Sequence, residues 1–225
     1  MSEERLVDEY LRGEGAPEGR AWPLWLDPFA RVAGGQALGW GLLVLAGMVA
    51  LGVFGTVAYD GVVDLHVGGQ APVWLLAVMP VLDWLIVALV FLVAGKLFSR
   101  SAQRVVDYFG TTALGRLPYL IAGALMLRPL LGGPMEAFTQ TLLAGPPQQM
   151  SERMMHAPGL AWVVVASLLL MVLGAWLGLV NYRALTASSG LRFPKALFVF
   201  LGAALVAEVL SKVGLFFLAR AAGMV

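Results

Sequence analysis

Long apolar runs constrain this chain more strongly than any other feature of its sequence. The clearest covers residues 37 to 58 and contains no Asp, Glu, Lys or Arg. Three further runs cover residues 72 to 95, 159 to 181 and 195 to 220. An apolar helix of about 20 residues is long enough to cross a hydrocarbon core of roughly 30 Å. These runs therefore predict an integral membrane protein whose fold is a bundle of transmembrane helices.

A weaker fifth run covers residues 113 to 133. The stretch between Arg116 and Arg128 amounts to about 17 Å of helix, which is too short for a full crossing. Pro118 and Pro129 further disfavour an uninterrupted helix. Arginine side chains can reach the headgroup layer from within a tilted helix, so we expect this run to span as well. The alternative is a segment that enters the membrane and returns to the same side.

The composition agrees with a membrane protein and narrows its chemistry. Apolar residues make up 60 % of the chain and charged residues 13 %, against about 25 % charged in ordinary soluble domains. The net charge of +1 gives no reason to expect nucleic acid as a partner. The chain contains no cysteine, which excludes disulfides, a thiolate nucleophile and cysteine-bound iron–sulfur clusters. The lipid bilayer is the first partner to expect.

The distribution of basic residues predicts the topology, because Lys and Arg are enriched in cytoplasmic loops. The connection after the first run contains Asp60, Asp64 and His66 but no Lys or Arg. The connections after the second and fourth runs are basic. This alternation predicts five transmembrane helices in an all-α bundle, with a cytoplasmic N-terminus and an exterior C-terminus. The residues that define the predicted cytoplasmic basic face are Lys96, Arg100, Arg104, Arg183, Arg192 and Lys195.

Three of these basic residues recur every four positions. Lys96, Arg100 and Arg104 would share one face of a helix that continued past the second run. One interpretation is topological, with the charges orienting the helices and meeting anionic headgroups. The other is a docking surface for an acidic cytoplasmic protein. Both interpretations are compatible with the sequence.

The chain outside the runs divides into a tail and short connections. We predict that residues 1 to 21 form an acidic tail with a short helix and a Gly/Pro-rich linker, and that residues 22 to 225 form the five-span domain. In the predicted exterior connection, residues 134 to 158, apolar side chains at helical spacing indicate an interfacial helix followed by a loop.

Three ionisable residues lie deep within the runs. Asp83 is near the middle of the second run, and Glu208 and Lys212 are near the middle of the last. A charge at the bilayer centre costs at least about 2.5 to 3.5 kcal/mol, so such residues generally face the protein interior and are paired. Glu208 and Lys212 have the favourable i, i+4 order. The three residues form either a structural cluster that joins two helices or a relay for protons or ions.

Motifs for catalysis are not found in the sequence. No His-Glu-x-x-His, Gly-x-Ser-x-Gly, P-loop or dinucleotide-binding pattern occurs, and His66 and His156 both fall in connections. We therefore predict a protein that is not an enzyme, with no catalytic residues, no cofactor and no metal site. An intramembrane hydrolase is the least favoured alternative.

Two segments resemble a known family. The first run is preceded by Trp-x-Asp-Pro-Phe-Ala-Arg at residues 25 to 31, and residues 107 to 120 read Asp-Tyr-Phe-Gly-Thr-Thr-Ala-Leu-Gly-Arg-Leu-Pro-Tyr-Leu. This order resembles the bacterial branch of the YIP (Ypt/Rab-interacting protein) family over about residues 22 to 222. The family resemblance implies five spans, a cytoplasmic N-terminus, the bacterial inner (plasma) membrane and no catalytic residues.

These observations lead to one predicted function and one alternative. The predicted function is a non-catalytic membrane scaffold, or an accessory subunit of a transport, export or membrane-organising assembly. Its partner would be another protein in the membrane or a second copy of the chain. The alternative is a small ion- or proton-coupled transporter that uses Asp83, Glu208 and Lys212.

Overall fold

A computed structural model describes residues 26–62, 64–67 and 71–223. This part of the chain is mostly helical, which confirms the all-α class, whereas the predicted N-terminal tail lies outside the described residues. The elements in chain order are α1 (Gly34–Gly55), β1 (Val57–Tyr59), β2 (Leu65–Val67), α2 (Val73–Phe98), α3 (Val105–Leu114), α4 (Leu117–Leu125), α5 (Gly133–Leu143), α6 (Met150–His156), α7 (Leu160–Ser189) and α8 (Lys195–Ala221).

Among the described residues, four helices are long and apolar enough to cross a membrane: α1, α2, α7 and α8. They overlap the four clear apolar runs, with most ends within three residues of those predicted. The exception is α7, which continues to Ser189, eight residues past the predicted end. These helices expose large apolar side chains as well as burying them, as Trp162, Leu168 and Met171 on α7 illustrate. A helix that is apolar on all sides is typical of a lipid environment.

The fifth run forms a bent segment instead of the single helix predicted for residues 113 to 133. Helix α3 ends at Leu114 and α4 begins at Leu117. A further bend of 46° separates residues 105–125 from residues 128–143. Prolines explain both interruptions, because Pro118 and Pro129 cannot donate a backbone hydrogen bond within a helix. Taken together, residues 105–125 and 128–143 are long and apolar enough to form one further span.

The basic connections meet at one end of the bundle. Ser99 and Ser101, which follow α2, both donate hydrogen bonds to the carbonyl of Ser189 at the end of α7. The prediction that Lys96, Arg100 and Arg104 share one helix face is wrong, because α2 ends at Phe98. Ser99 is extended there, and α3 starts at Val105.

Helices α1 and α3 pack with their backbones in close contact. A Cβ atom added at Gly41 would lie 2.4 Å from the Cβ of Ala113, and one added at Gly110 would lie 2.7 Å from the carbonyl oxygen of Gly34. Small residues allow membrane helices to approach in this way. Residues 110 to 114 of α3 are therefore held against α1 by backbone proximity.

We expect Gly41→Ala to lower the free energy of unfolding by about 1 to 3 kcal/mol, the usual cost of overpacking a tight contact. Gly39→Ala is the matched control on the same helix, because among the described residues no neighbouring atom lies within 4 Å of a Cβ added there. Equilibrium unfolding in mixed detergent micelles measures both variants. Equal stability of the two would contradict the α1–α3 contact.

The connection between α1 and α2 folds back into the bundle as a β-hairpin. Thr56 adopts a left-handed conformation with φ 53°, which reverses the chain after α1. Strands β1 and β2 then pair antiparallel, with Val57 opposite Val67 and Tyr59 opposite Leu65. Val57 and Tyr59 are fully buried, and the Tyr59 ring packs edge-on against Tyr119 of α4 at 5.0 Å. The connection after α1, which the topology prediction places on the exterior, is thus partly buried inside the bundle.

Candidate functional site: the buried hairpin tip

The hairpin tip meets the ionisable residues of the helices in the middle of the bundle. The tip is Asp60, Gly61, Val62 and Asp64, closed by a 3.0 Å hydrogen bond from the Asp60 amide to the Asp64 carbonyl. We use the name tip cluster for these residues together with the side chains that contact them: Asp83, Arg116, Tyr119, Glu208, Ser211 and Lys212.

Two carboxylates accept the backbone donors of the tip. The Gly61 amide donates to Asp83 Oδ2 at 3.3 Å, and the Val62 amide donates to Glu208 Oε2 at 2.8 Å. Ser211 of α8 donates to the other oxygen of Asp83. Irregular backbone at membrane depth needs partners for its polar groups, because lipid offers none. These acidic side chains supply them.

Three side chains donate to the carbonyl oxygens of the tip. Arg116 Nη1 donates to Val62 at 3.1 Å. The Tyr119 hydroxyl has one proton, which the carbonyl oxygens of Gly61, at 3.3 Å, and Asp64 share. Lys212 Nζ donates to Asp60. All four described tip residues therefore have their carbonyls bound by side chains from α4 or α8, or from the junction between α3 and α4.

The Lys212 ammonium lies among three carboxylates. Its Nζ is 2.7 Å from Asp64 Oδ2, 3.4 Å from Asp60 Oδ2 and 3.9 Å from Glu208 Oε1. The predicted Glu208–Lys212 pair is present but is the longest of these contacts. Asp60 and Asp64 are the nearer partners, although their position in a short connection gave no sign of this role. The hairpin places them there.

Asp83 has a different cation from the one expected. It is 1 % exposed and interacts electrostatically with Arg116, which is fully buried. Arg116 was expected to extend toward the membrane surface, and that expectation is wrong. Its position at the break between α3 and α4 directs its guanidinium to the hairpin instead of the headgroups. Asp83, Glu208 and Lys212 therefore belong to one cluster because each contacts the hairpin tip. Within it, Asp83 interacts with Arg116, and Lys212 lies beside Asp60, Asp64 and Glu208.

Some buried polar atoms of this region have no hydrogen-bond partner among the described residues. They include Arg116 Nε and Nη2 and the Tyr59 hydroxyl. Arg116 lies 5.8 Å from the centre of the Tyr119 ring, a distance suited to a cation–π contact. Burial raises the pKa of the Tyr59 phenol.

A cleft opens beside the tip between α2 and α8. Its volume is about 390 Å³, and Asp60, His66 and Lys212 supply its polar lining, with Met79 and Leu215 among the apolar residues. His66 Nδ1 lies 3.8 Å from Asp60 Oδ2. The volume is within the range of small-molecule sites, roughly 300 to 1,000 Å³. Within the described part of the chain, no group of three or more His, Cys, Asp or Glu side chains is arranged to hold a metal ion.

The predicted basic face is only partly available for binding. Arg183 forms an ion pair with the buried Asp27, which holds the segment before α1 against α7. Arg104 forms a two-bond pair with Asp107 at 3.0 Å, and this hydrogen bonding raises the pKa of Arg104. The exposed members outside these pairs are Lys96, Arg100, Arg192 and Lys195.

Comparison with known proteins assigns no family to this chain. No family model matches it, and no curated protein or solved structure matches it either.

Proposed function

We propose that this protein is a non-catalytic integral membrane protein of the YIP type. It acts as a scaffold or as an accessory subunit of a transport, export or membrane-organising assembly in the bacterial inner membrane. The observation that carries the non-catalytic part is the tip cluster, in which side-chain charges bind the backbone and the opposite charges of the same chain. The resemblance at residues 25 to 31 and 107 to 120 carries the assembly part.

The chemistry of the tip cluster supports an architectural role. The hairpin brings backbone amides and carbonyls into the bundle, where each unsatisfied group would cost several kcal/mol. Asp83, Glu208, Arg116 and Lys212 each bind one of those groups. A charge that holds backbone in place is poorly suited to a relay, because releasing it would leave a buried partner unsatisfied.

We further propose five crossings, with the bent α3–α5 segment as the third. Helices α2 and α7 end side by side, since Ser99 and Ser101 bind Ser189. If both helices cross in the same direction, the chain between them must return across the membrane. The basic residues near this junction support a cytoplasmic location for it, and hence a cytoplasmic N-terminus and an exterior C-terminus.

Single cysteines test this topology without background, because the chain has none of its own. We expect membrane-impermeant thiol reagents to label Ala102→Cys and Ala187→Cys only from the cytoplasmic side, and Gln148→Cys only from the exterior. All three positions are exposed. Cytoplasmic labelling of Gln148→Cys would contradict the five-span arrangement and make residues 105–143 a re-entrant segment.

Quantitative mass spectrometry after purification in mild detergent tests the accessory role. We expect a membrane protein partner in fixed stoichiometry that is retained by wild type. It should be depleted in Arg100→Gln/Arg192→Gln, which removes two exposed charges from the connections. Lys96 and Lys195 still keep those connections basic in this variant. Purification of the chain alone under all mild conditions would contradict the accessory role.

The cleft beside Lys212 favours a second candidate, an ion- or proton-coupled transporter. The cleft reaches Asp60, His66 and Lys212. Two nitrogens of Arg116 that have no hydrogen-bond partner among the described residues lie in the same cluster. Flux in proteoliposomes under a pH gradient separates the two candidates. Our proposal predicts no flux above that of empty vesicles. Flux that is lost in a stably folded Asp83→Asn variant would replace the scaffold with the transporter.

A further inference from the structure

An apolar groove runs between α2 and α8 on the outside of the bundle. Its volume is about 620 Å³. The residues that line it include Val93, Leu97 and Phe98 on α2 and Phe198, Gly202 and Val206 on α8. Leu97 and Phe198 are each 72 % exposed. The groove is therefore open toward the surroundings of the bundle and not a sealed cavity.

Small residues on α8 create the groove. Among the described residues, no neighbouring atom lies within 4 Å of a Cβ added at Gly202. Ala203, the next residue, is buried against α2 as part of the same core cluster as Val87 and Phe91. The helices thus touch along one line, and the space over Gly202 beside that line stays open.

Two lysines lie within one helical turn of groove-lining residues, at the end of these helices where the basic connections are. Lys96 is three residues after Val93, and Lys195 is three residues before Phe198. Residues three or four apart share one face of a helix. Both lysines are exposed. Phe98 and Phe198 line the same groove, so the end of α2 and the start of α8 lie side by side.

The dimensions of the groove match one membrane leaflet. Its lining on α8 extends from Phe198 to Leu210, which corresponds to about 18 Å of helix at 1.5 Å per residue. Half of a hydrocarbon core of roughly 30 Å is about 15 Å. An acyl chain that starts at the lysines would thus be covered over most of its length.

We propose that this groove binds an anionic phospholipid, with an acyl chain along Gly202 and the headgroup phosphate between Lys96 and Lys195. The pairing of an apolar channel with two cations at one end fits the shape and charge of that lipid. A second copy of the chain fits less well, because a symmetric contact through this groove would bring its lysines against those of its partner. The inference is independent of the proposed scaffold role.

Lipid competition in nanodiscs tests the proposal with a defined probe. The protein is placed in phosphatidylcholine discs with increasing phosphatidylglycerol, and native mass spectrometry counts the lipids retained. We expect wild type to prefer phosphatidylglycerol by at least about fivefold, roughly the factor that one lysine contributes near an anionic surface. Lys96→Gln/Lys195→Gln should lose this preference.

Two further variants make the test specific. Arg100→Gln/Arg192→Gln removes the same charge at the same end but outside the helices, and it should retain the preference. In Gly202→Leu the new side chain extends into open space within the groove. It should therefore reduce retention of the tightly bound lipid without a loss of thermal stability. The proposal is overturned by equal loss in both charge variants or by wild type that does not distinguish the two lipids. A dimer that excludes lipid and is broken by Gly202→Leu would also overturn it.

Discussion

Arg116→Met is expected to be the most damaging single substitution in the polar interior of this protein. It leaves the buried Asp83 without its cation and removes the donor from the Val62 carbonyl. Removing one partner of a buried pair costs about 3 to 5 kcal/mol in soluble proteins, and polar contacts in membranes average less. We expect a decrease in the free energy of unfolding of at least about 2 kcal/mol, measured by equilibrium unfolding in mixed micelles.

Arg104→Met is the matched control for that measurement. Arg104 also pairs with an aspartate, but its side chain is 71 % exposed. Its replacement should leave the stability nearly unchanged, because exposed ion pairs contribute little. Adding Asp83→Asn to Arg116→Met should restore part of the loss, since asparagine can still accept from Gly61 without carrying a charge. Equal effects of Arg116→Met and Arg104→Met would contradict the buried role of Arg116.

Among substitutions in the polar interior, Lys212→Met is expected to cause the second largest decrease in the free energy of unfolding. The change leaves Asp60, Asp64 and Glu208 close together without the ammonium that separates them. Because Lys212 is 38 % exposed, its loss should cost between the roughly 1 kcal/mol of an exposed pair and the roughly 3 kcal/mol at the lower end for a buried one. The same unfolding measurement applies.

The second substitution that rescues Lys212→Met identifies its main partner. Asp64 is nearest to the ammonium, at 2.7 Å, and Glu208 is farthest, at 3.9 Å. Asp64→Asn/Lys212→Met should therefore recover more stability than Glu208→Gln/Lys212→Met. Arg220→Met, at an exposed position on the same helix, controls for the loss of a positive charge. The reverse order of rescue would place Lys212 with Glu208 on α8 and away from the hairpin.

Apolar length predicts the helices of this protein but not its hairpin. Most of a run such as residues 37 to 58 favours a helix in lipid, so the four long apolar helices follow from composition. The last three residues of that run are the exception, because Thr56 is left-handed and residues 57 and 58 belong to β1. Strands β1 and β2 have three residues each. That length is too short for any alternation of polar and apolar residues to be recognised. The left-handed Thr56 that starts the hairpin carries no signal either, because threonine seldom adopts that conformation.

The cost of burying charge correctly singles out Asp83, Glu208 and Lys212, but it does not predict their partners. Arg116 donates to Val62, which is 54 positions away in the chain. An arginine two residues before a proline, near the start of a weak run, looks the same in sequence whether its side chain extends to the headgroups or turns inward. The tertiary packing of α3 and α4 determines which direction the side chain takes, and residue spacing in the sequence does not predict that packing.

The basic connections show a similar limit of prediction from sequence. The four-residue spacing of Lys96, Arg100 and Arg104 is helical, yet α2 ends at Phe98. The hydroxyl of Ser99 binds Ser189, 90 positions further along the chain, at 2.6 Å. This long-range contact favours the extended conformation of Ser99 over another helical turn. Periodicity predicts a helix only where no tertiary hydrogen bond offers the backbone a better arrangement.

Hydrogen–deuterium exchange at the hairpin tip tests most directly whether the charges hold an internal hairpin. We expect the amides of Gly61 and Val62, bound to Asp83 and Glu208, to stay protected for as long as those of α1. The exposed connection between α5 and α6 should exchange within seconds. Glu208→Ala should release Val62 and leave α1 protected. Fast exchange at the tip in wild type, or protection of Val62 that survives Glu208→Ala, would contradict the account.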